Sequence, residues 1–301
     1  MVLSYSLSPR AEDVVRRVLA GAGQVSVSIV ETKFGVGYRR PLADQFHELS
    51  SELDVLEILV EQFLPLTNDR IGELEALRES FELIPHGVSM SLGSSDPREM
   101  PMFGDLKRLL DLIEPPYFSE HVAISRAGGF DIWHLSPVWR TQGGLDVIAN
   151  NADIAREELG LPLVLETITE MVRLPGATYG WGEFLAELHR RTGATLLVDV
   201  TNVWLNATNG IAGDLDDLFG DIAGVPWTQF HVAGYSVGHD SFLIDSHDAP
   251  IQEEIFSVYE DALNVQRPSI IILERDAKFE MLADLVVEVG RLKSISRDLP
   301  S

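Results

Sequence analysis

Carboxylate and imidazole side chains recur where short apolar, β-rich runs of this chain come to an end. They are Glu57, His86, Glu120, His121, Glu166, Asp199, His231 and Glu274. One such residue alone is most often a hydrogen-bonded polar group at the rim of a sheet. Several uncompensated carboxylates in one place repel one another, and bound cations would offset that repulsion. The repeated pattern therefore predicts a metal site.

A second group of candidate ligands lies in or near the long loop 234–250, which is rich in Gly, Ser, His and Asp. Asp245 and His247 are two residues apart, so both side chains would face the same centre from an extended segment. Asn202 follows Asp199 by three residues and would point to that centre if the chain turns there. The sequence thus adds ligands from loops to those from strand ends.

The candidate ligands are nitrogen and oxygen donors only, because the 301-residue chain contains no cysteine. Imidazole mixed with carboxylate suits iron, manganese or zinc and is compatible with non-heme iron that activates O₂. A single ion takes four to six ligands, so about nine candidates indicate more than one ion. Composition does not choose the metal.

Charge and hydropathy exclude several classes of protein. The chain has 23 Lys and Arg against 47 Asp and Glu, a formal net charge of -24, which disfavours a nucleic-acid partner. An apolar content of 45% is that of a globular protein, and no apolar run of about 18 residues predicts a membrane span. Glu12 and Asp13 interrupt any signal-peptide core, so we expect a cytoplasmic location.

Apolar runs alternate with amphipathic stretches along most of the chain. The predicted strands are Phe34–Tyr38, Leu53–Leu59, Leu83–Met90, Tyr117–Ile124, Leu163–Glu166, Thr195–Val200, Thr228–Ala233 and Ser269–Glu274. The predicted helices are Ile71–Leu77, Met102–Ile113, Leu145–Leu159, Trp181–Arg191, Glu253–Leu263 and Phe279–Leu292. About eight strand–helix pairs in this order predict an α/β fold, a (β/α)8 TIM barrel, whose reacting groups lie at the C-terminal ends of the strands.

The first 33 residues precede this alternation. Pro9–Gly21 has a helical pattern, and Gln24–Val30 has the pattern of a strand. We expect an N-terminal extension over residues 1–33 and a single barrel domain over residues 34–297.

Several motifs resemble those of a known family, the multinuclear non-heme iron-dependent oxidative enzymes, long catalogued as a domain of unknown function. They are His86-Gly87-Val88-Ser89-Met90-Ser91-Leu92-Gly93-Ser94, Ser119-Glu120-His121, Asp199-Val200-Thr201-Asn202, His231-Val232-Ala233-Gly234 and Ile244-Asp245-Ser246-His247-Asp248-Ala249-Pro250. The upstream Gly35-Val36-Gly37-Tyr38-Arg39 also fits. The match runs in order over residues 34–290, and the stretch His231–Tyr235 with Glu274-Arg275-Asp276 looks most like the methanobactin-biosynthesis branch.

The resemblance implies a TIM barrel that holds two or three irons, mixed ferrous and ferric, and uses O₂ to modify residues, often cysteine, of ribosomally made precursor peptides. A small partner protein that binds the leader peptide commonly assists. The implied ligands are His86, His121, Glu166, Asp199, Asn202, His231, Asp245, His247 and Glu274, with Glu166 bridging two ions. The implied catalytic residues are His231, Glu166 and Asp199, and Glu57, Tyr235 and His239 are candidate substrate-binding residues.

Two positions depart from the family's common pattern. Thr167 follows Glu166 where the family has Asn, and Tyr235 stands where many members have His. Neither change removes an implied ligand, but both could alter which product forms.

The resulting hypothesis is an O₂-dependent peptide-modifying iron oxidase. A non-redox metalloenzyme on a similar barrel, such as a xylose-isomerase-like sugar isomerase or a zinc phosphodiesterase, is the alternative, since it also gathers His, Asp and Glu at strand ends. A third possibility is a catalytically silent barrel that serves as a binding subunit.

Overall fold

The strands close a parallel barrel. The computed structural model describes residues 31–96, 103–211, 213, 215–279 and 282–299. The strands in these ranges are β1 Lys33–Gly37, β2 Val55–Leu59, β3 Glu82–Gly87, β4 Phe118–His121, β5 Ile124–Ala127, β6 Phe130–Ser136, β7 Leu163–Glu166, β8 Thr195–Asp199, β9 Trp227–Ala233, β10 Ser236–Val237, β11 Leu243–Ile244 and β12 Ile270–Glu274. Eight of them close a barrel in the order β1-β12-β9-β8-β7-β4-β3-β2, with parallel neighbours throughout. The predicted TIM barrel is confirmed.

Helices cover the outside of the barrel. They are α1 Ala43–Phe46, α2 Asn68–Arg78, α3 Phe103–Ile113, α4 Gln142–Leu159, α5 Trp181–Thr192, α6 Val200–Thr208, α7 Leu215–Ile222, α8 Glu253–Val265 and α9 Leu282–Asp298, with short 3-10 turns at Arg40–Leu42, His47–Leu49, Val60–Phe63 and His239–Ser241. Helix α4 shows how local sequence sets their ends. Thr141 caps its first turn by accepting a hydrogen bond from Gly144 N, and Gly160 ends it in the left-handed region at φ 71°. No helix of the described ranges is long and apolar enough to cross a membrane.

Some predicted boundaries differ from those observed. The predicted strand Tyr117–Ile124 ends at His121, and the chain then turns into the hairpin β5–β6, which the sequence patterns did not indicate. The predicted strand ending at Val200 stops at Asp199, because the carboxylate of Asp199 accepts a hydrogen bond from Asn202 N and so begins α6. The N-terminal helix and strand predicted for residues 9–30 lie outside the described residues.

Two layers of side chains fill the barrel interior. Alternate residues of a strand point to the same face, so inward positions recur every second residue. The lower layer is mostly apolar and consists of Val55, Ile84, Val164, Leu197, Ile270 and Ile272, together with the polar residues Tyr117 and Gln229. The upper layer lies nearer the C-terminal ends of the strands and consists of Glu57, His86, His121, Glu166, Asp199, His231 and Glu274, all buried. The strands therefore deliver the candidate ligands together at one mouth of the barrel.

Candidate metal centre

Nitrogen and oxygen atoms of the upper layer converge in overlapping groups. Within the described residues, four sets of three side chains bring ligand atoms within 4.8 Å of one another. These sets are His86–His121–Glu166, Glu166–Asp199–His231, Asp199–His247–Glu274 and Glu57–His231–Glu274. Glu166 and Asp199 each belong to two successive sets, so each lies where a carboxylate would bridge neighbouring ions.

Glu166 is at the centre of this arrangement. Its Oε2 lies 3.3 Å from Nε2 of both His86 and His121, and its Oε1 lies 3.2 Å from Nδ1 of His231. Oε2 of Glu166 and Nδ1 of His231 are buried and have no hydrogen-bond partner among the described residues. Buried polar atoms almost always have partners, so an imidazole and a carboxylate that face each other unpaired fit a cation between them.

The loop after β9 returns to the mouth and adds His247 and Asp245. Nε2 of His247 lies 2.7 Å from Oδ1 of Asp245, and its Nδ1 lies 3.5 Å from Oε2 of Glu274. His247 adopts a left-handed conformation at φ 47°, which is costly for a residue with a side chain. Gly234 is required beneath the loop, because a Cβ there would lie 2.0 Å from the carbonyl oxygen of Ala249.

Asn202 and Asp245 meet at the edge of the cluster through a residue that the sequence did not single out. Thr169 Oγ1 lies 2.6 Å from the Asn202 amide and 3.0 Å from Oδ2 of Asp245. Asn202 is positioned by α6, whose first turn Asp199 caps. The structure therefore brings all nine predicted ligand residues to one mouth of the barrel, the last two at its rim.

Burial and mutual repulsion alter the acidity of the cluster. Burial, with Asp245 and Glu166 nearby, raises the pKa of the Asp199 carboxyl well above its usual range. Burial and the neighbouring His121 lower the pKa of His86. Burial also favours the neutral form of His231, but Glu274 and Glu57 outweigh it and raise the pKa of that ring. Without metal the site thus retains protons where cations would sit, so metal binding should release protons.

A cavity of about 320 Å³ opens above the cluster. Arg39 lies in its wall, with its guanidinium 3.7 Å from Oε1 of Glu274 and 2.5 Å from Oδ1 of Asp276. This buried cation offsets part of the negative charge of the upper layer. Arg39 and Asp276 were not predicted as site residues, although both lie within stretches that carried the resemblance.

A family model described as "RiPP precursor modification enzyme MbnB/TglH/ChrH" matches residues 33–297, where RiPP denotes a ribosomally synthesised and post-translationally modified peptide. The chain belongs to this family. Among its relatives, a UPF0276 protein of Caulobacter vibrioides is 33% identical over 261 residues, covering 85% of this chain and 91% of that protein. A UPF0276 protein of Rhizorhabdus wittichii is 32% identical over 272 residues, covering 88% and 94%. The predicted family is confirmed.

Solved structures with the same fold include sugar-converting enzymes and a zinc-binding protein. D-psicose 3-epimerase of Clostridium cellulolyticum has a TM-score of 0.58 at 10% identity, covering 88% of this chain and 98% of that chain. The IOLI protein with a bound zinc atom has a TM-score of 0.59 at 12% identity, covering 90% and 100%. At such low identity these likenesses show the fold of this RiPP precursor modification enzyme and nothing of its substrate.

The three predicted substrate-binding residues lie away from the cavity wall of this family member. Glu57 is 1% exposed and lies behind His231, with Oε2 2.9 Å from Nε2 of that ring. Tyr235 is buried and donates its hydroxyl hydrogen bond to Glu254. His239 lies in the short 3-10 turn after β10 and is not among the residues that line the cavity. A role in substrate binding stays a prediction for all three.

Large apolar side chains surround the mouth of the barrel. We define the apolar rim as the exposed residues Phe130, Ile132, Trp133, Trp139, Met171, Val172, Val237 and Ile244. They belong to segments that follow β4, β7 and β9, and so to the face that carries the cluster. Trp133 is 91% exposed, and Met171 and Ile244 also line the cavity. Exposed apolar patches of this kind mark interaction sites.

Proposed function

We propose that this RiPP modification enzyme is an O₂-dependent, multinuclear non-heme iron oxidase that modifies a residue, cysteine foremost, of a precursor peptide. The observation that carries the proposal is the overlap of the ligand sets, since Glu166 and Asp199 are each shared by two of them. Overlapping sets favour two or three ions over one. Imidazole with carboxylate and no sulfur is the donor set of oxygen-activating non-heme iron.

Neighbouring ions would share ligands. His86, His121 and Glu166 would hold one ion; Glu166, Asp199 and His231 would hold the next. The third would be held by Asp199, Asn202, Asp245, His247 and Glu274. Iron would supply one-electron chemistry with O₂ as the electron acceptor and would lower the pKa of a cysteine thiol that binds it.

The protein's own residues hold the site and control access to it. Asp276 pairs with Arg39 from the outer side, which keeps the guanidinium against Glu274. Leu243 and Ile168 are apolar parts of the cavity wall, which would limit water around a bound substrate and so strengthen electrostatic interactions there. His134 lines the cavity from the hairpin β5–β6 and is placed to contact a substrate.

The apolar rim supports a peptide substrate over a sugar. The cavity of about 320 Å³ accommodates a side chain and its immediate neighbours, so the flanking residues of a peptide would lie on the rim. A sugar offers hydroxyl groups, for which the aliphatic side chains of Met171 and Ile244 at the cavity edge provide no hydrogen-bond partner. A phosphodiester is disfavoured by the net charge of -24. These features disfavour both forms of the alternative, a sugar isomerase and a zinc phosphodiesterase.

Two further parts of the proposal follow from the family's chemistry. A small partner protein would bind the leader part of the peptide, leaving the rim for residues next to the modified one. The reaction would take place in the cytoplasm, where cysteine thiols of a precursor stay reduced.

Metal analysis with Mössbauer spectroscopy of anaerobically purified protein tests the iron centre. More than one iron per chain, with signals of coupled ions, supports the oxidase. Zinc or manganese alone would favour the non-redox metalloenzyme. A folded protein that takes up no metal would favour the silent barrel.

Two synthetic peptides test the rim. One carries a cysteine between Leu and Phe residues, and the other carries it between Ser and Gly residues. We expect the protein to bind the apolar peptide more tightly and Trp133→Ala to remove that preference. Val287→Ala is the matched control, because Val287 is 72% exposed but lies on α9 outside the rim. Equal binding of both peptides by the unaltered protein would contradict a docking role for the rim.

A further inference from the structure

We propose that Glu57 is a positioning residue, which holds the His231 ring with Nδ1 turned toward the metal. It belongs to a column of buried polar side chains, Tyr117, Gln229, Glu57 and His231, that runs through the barrel interior. The inference rests on the proposed metal centre, since a fixed ring orientation matters only if Nδ1 binds an ion. It also gives Glu57 a role other than the substrate contact expected from the sequence.

The hydrogen bonds of the column converge on Glu57, which accepts from both sides. The Tyr117 hydroxyl donates to Oε1 of Gln229 at 2.6 Å, which turns the amide nitrogen of Gln229 toward the upper layer. That nitrogen donates to Oε2 of Glu57, and the same oxygen lies 2.9 Å from Nε2 of His231. Because Oε2 of Glu57 already accepts from Gln229, it acts as the acceptor of this contact too, and the proton belongs to Nε2 of His231.

With its proton on Nε2, the His231 ring presents the lone pair of Nδ1 to the cluster. Nδ1 lies 3.2 Å from Oε1 of Glu166 and 3.1 Å from Oε2 of Glu274, with no hydrogen-bond partner among the described residues. Gln229 Nε2 also lies 2.8 Å from Nε2 of His231. If the ring accepted from Gln229 instead, Nδ1 would carry the proton and could not bind a cation.

Gln229 provides a second argument for the column. It lies two residues before His231, where Ile84, Val164 and Leu197 precede His86, Glu166 and Asp199, respectively, on their strands. Gln229 is completely buried, and a buried amide is costly unless it is hydrogen-bonded. The hydrogen bond that Gln229 donates to Glu57 explains why a polar residue occupies this inward position. Carboxylates behind metal-binding imidazoles commonly fix the tautomer and orientation of the ring.

Anaerobic titration with Fe²⁺ against a competing chelator tests the inference on the Glu57→Gln variant. We expect an unchanged number of ions, with the affinity for one of them lowered about 10- to 100-fold. Tyr117→Phe should act in the same direction but less. Glu170→Gln is the matched control, because Glu170 is equally buried, pairs with Arg140 at 2.9 Å and belongs to none of the ligand sets.

The outcomes separate this inference from the proposed function. If the unaltered protein binds no iron, the proposed function fails. If it binds iron and Glu57→Gln binds it equally well, only the positioning role fails. Loss of a whole ion in Glu57→Gln would make Glu57 a ligand and would also overturn the positioning role.

A measurement on the unaltered protein keeps the test independent of how the variants fold. Nitrogen-15 NMR of histidine-labelled, zinc-loaded protein reports which ring nitrogen carries the proton, and His231→Gln assigns the signal. We expect the proton on Nε2 and zinc on Nδ1. A proton on Nδ1 would overturn the inference.

Discussion

The two layers of the barrel interior come from the same strands but have opposite chemistry. Val55 and Glu57 lie on β2, and Val164 and Glu166 lie on β7, in each case two residues apart and facing the same interior. The lower layer is apolar apart from Tyr117 and Gln229, whereas the upper layer gathers carboxylates and imidazoles that repel or partly neutralise one another. Two positions along a strand thus separate side chains whose burial stabilises the fold from side chains whose burial destabilises it.

The apolar parts of the protein compensate for the cost of burying the charged upper layer. Burying apolar side chains in the lower layer is favourable, while burying charges in the upper layer is costly without a partner. The barrel can carry the upper layer because stability is supplied elsewhere, by the lower layer and by the larger core between strands and helices. Substitutions in the lower layer should therefore change the free energy of unfolding, whereas substitutions in the upper layer should change metal binding.

The largest effect is expected for Glu166→Gln in the upper layer. Glu166 is shared by two ligand sets, so loss of its charge weakens two adjacent ion positions at once. We expect at least one iron per chain to be lost and O₂ consumption to fall by more than about 100-fold. This exceeds the roughly 10- to 100-fold loss typical when a residue that only hydrogen-bonds to a metal ligand is replaced. Metal analysis and an oxygen electrode measure the two quantities. Val164→Ala, two residues below, should keep its iron; iron loss there would break the separation of the layers.

Leu197→Ala should show the reverse behaviour in the lower layer. Leu197 is 1% exposed and lies two residues before Asp199, so its truncation leaves a cavity below the metal centre. We expect the free energy of unfolding to fall by about 2–5 kcal/mol, with the iron content unchanged. Urea unfolding of the metal-free protein measures the first and metal analysis of the folded fraction the second. A loss below about 1 kcal/mol would contradict a stabilising lower layer.

The sequence was sufficient to predict the barrel and the polar residues that meet at its mouth, for a physical reason; that they bind metal stays a prediction. Parallel strands covered on both faces are unbroken apolar runs, so a polar residue at the end of such a run is conspicuous, as Glu166 and Asp199 are. Arg39 and Thr169 gave no such signal, because they reach the site only when distant segments meet. The sequence also did not show that Glu57 lies below the cavity wall. Its position along the barrel axis depends on the stagger between neighbouring strands and not on its own strand alone.

The hairpin β5–β6 was missed for a different reason. Its strand β6 is exposed along most of its length, so it lacks the alternation of buried and exposed residues by which a strand is recognised. The helix α6 was missed because the apolar run of β8 continues through Val200, and only the spacing of Asp199 and Asn202 indicated a helix cap.

The stability of the metal-free protein should depend on pH because histidines of the upper layer titrate. Burial favours a neutral ring at His121, but Glu166 and Glu120 outweigh it and raise the pKa to about 9, while unfolded histidine titrates near 6.5. The folded state then holds a proton that the unfolded state has lost, so this stabilisation is complete below about pH 6.5 and disappears as the pH rises through 9. His86 does not oppose this trend above pH 7, because its lowered pKa leaves it neutral in both states.

We therefore expect the free energy of unfolding without metal to fall by on the order of 2 kcal/mol between pH 7 and 9. Urea unfolding in the presence of a chelator measures it. The decrease should be smaller in His121→Gln and should persist in Leu197→Ala, since the lower layer does not titrate. A stability that rises over this range would show that the upper layer is not charged as the geometry indicates.

The smallest effect, that of Ile272→Val, tests whether the layers are mechanically independent. Ile272 is fully buried and lies two residues before Glu274 on β12, so the variant removes one methylene directly beneath a candidate ligand. We expect a loss of about 0.5–1.5 kcal/mol in the free energy of unfolding, because a close-packed interior feels the change. The Fe²⁺ affinity should not change, since Glu274 is held by Arg39, which Asp276 keeps in place, rather than by Ile272. A drop in affinity together with stability would mean that packing in the lower layer sets the position of the ligands, and the two layers would then act as one unit.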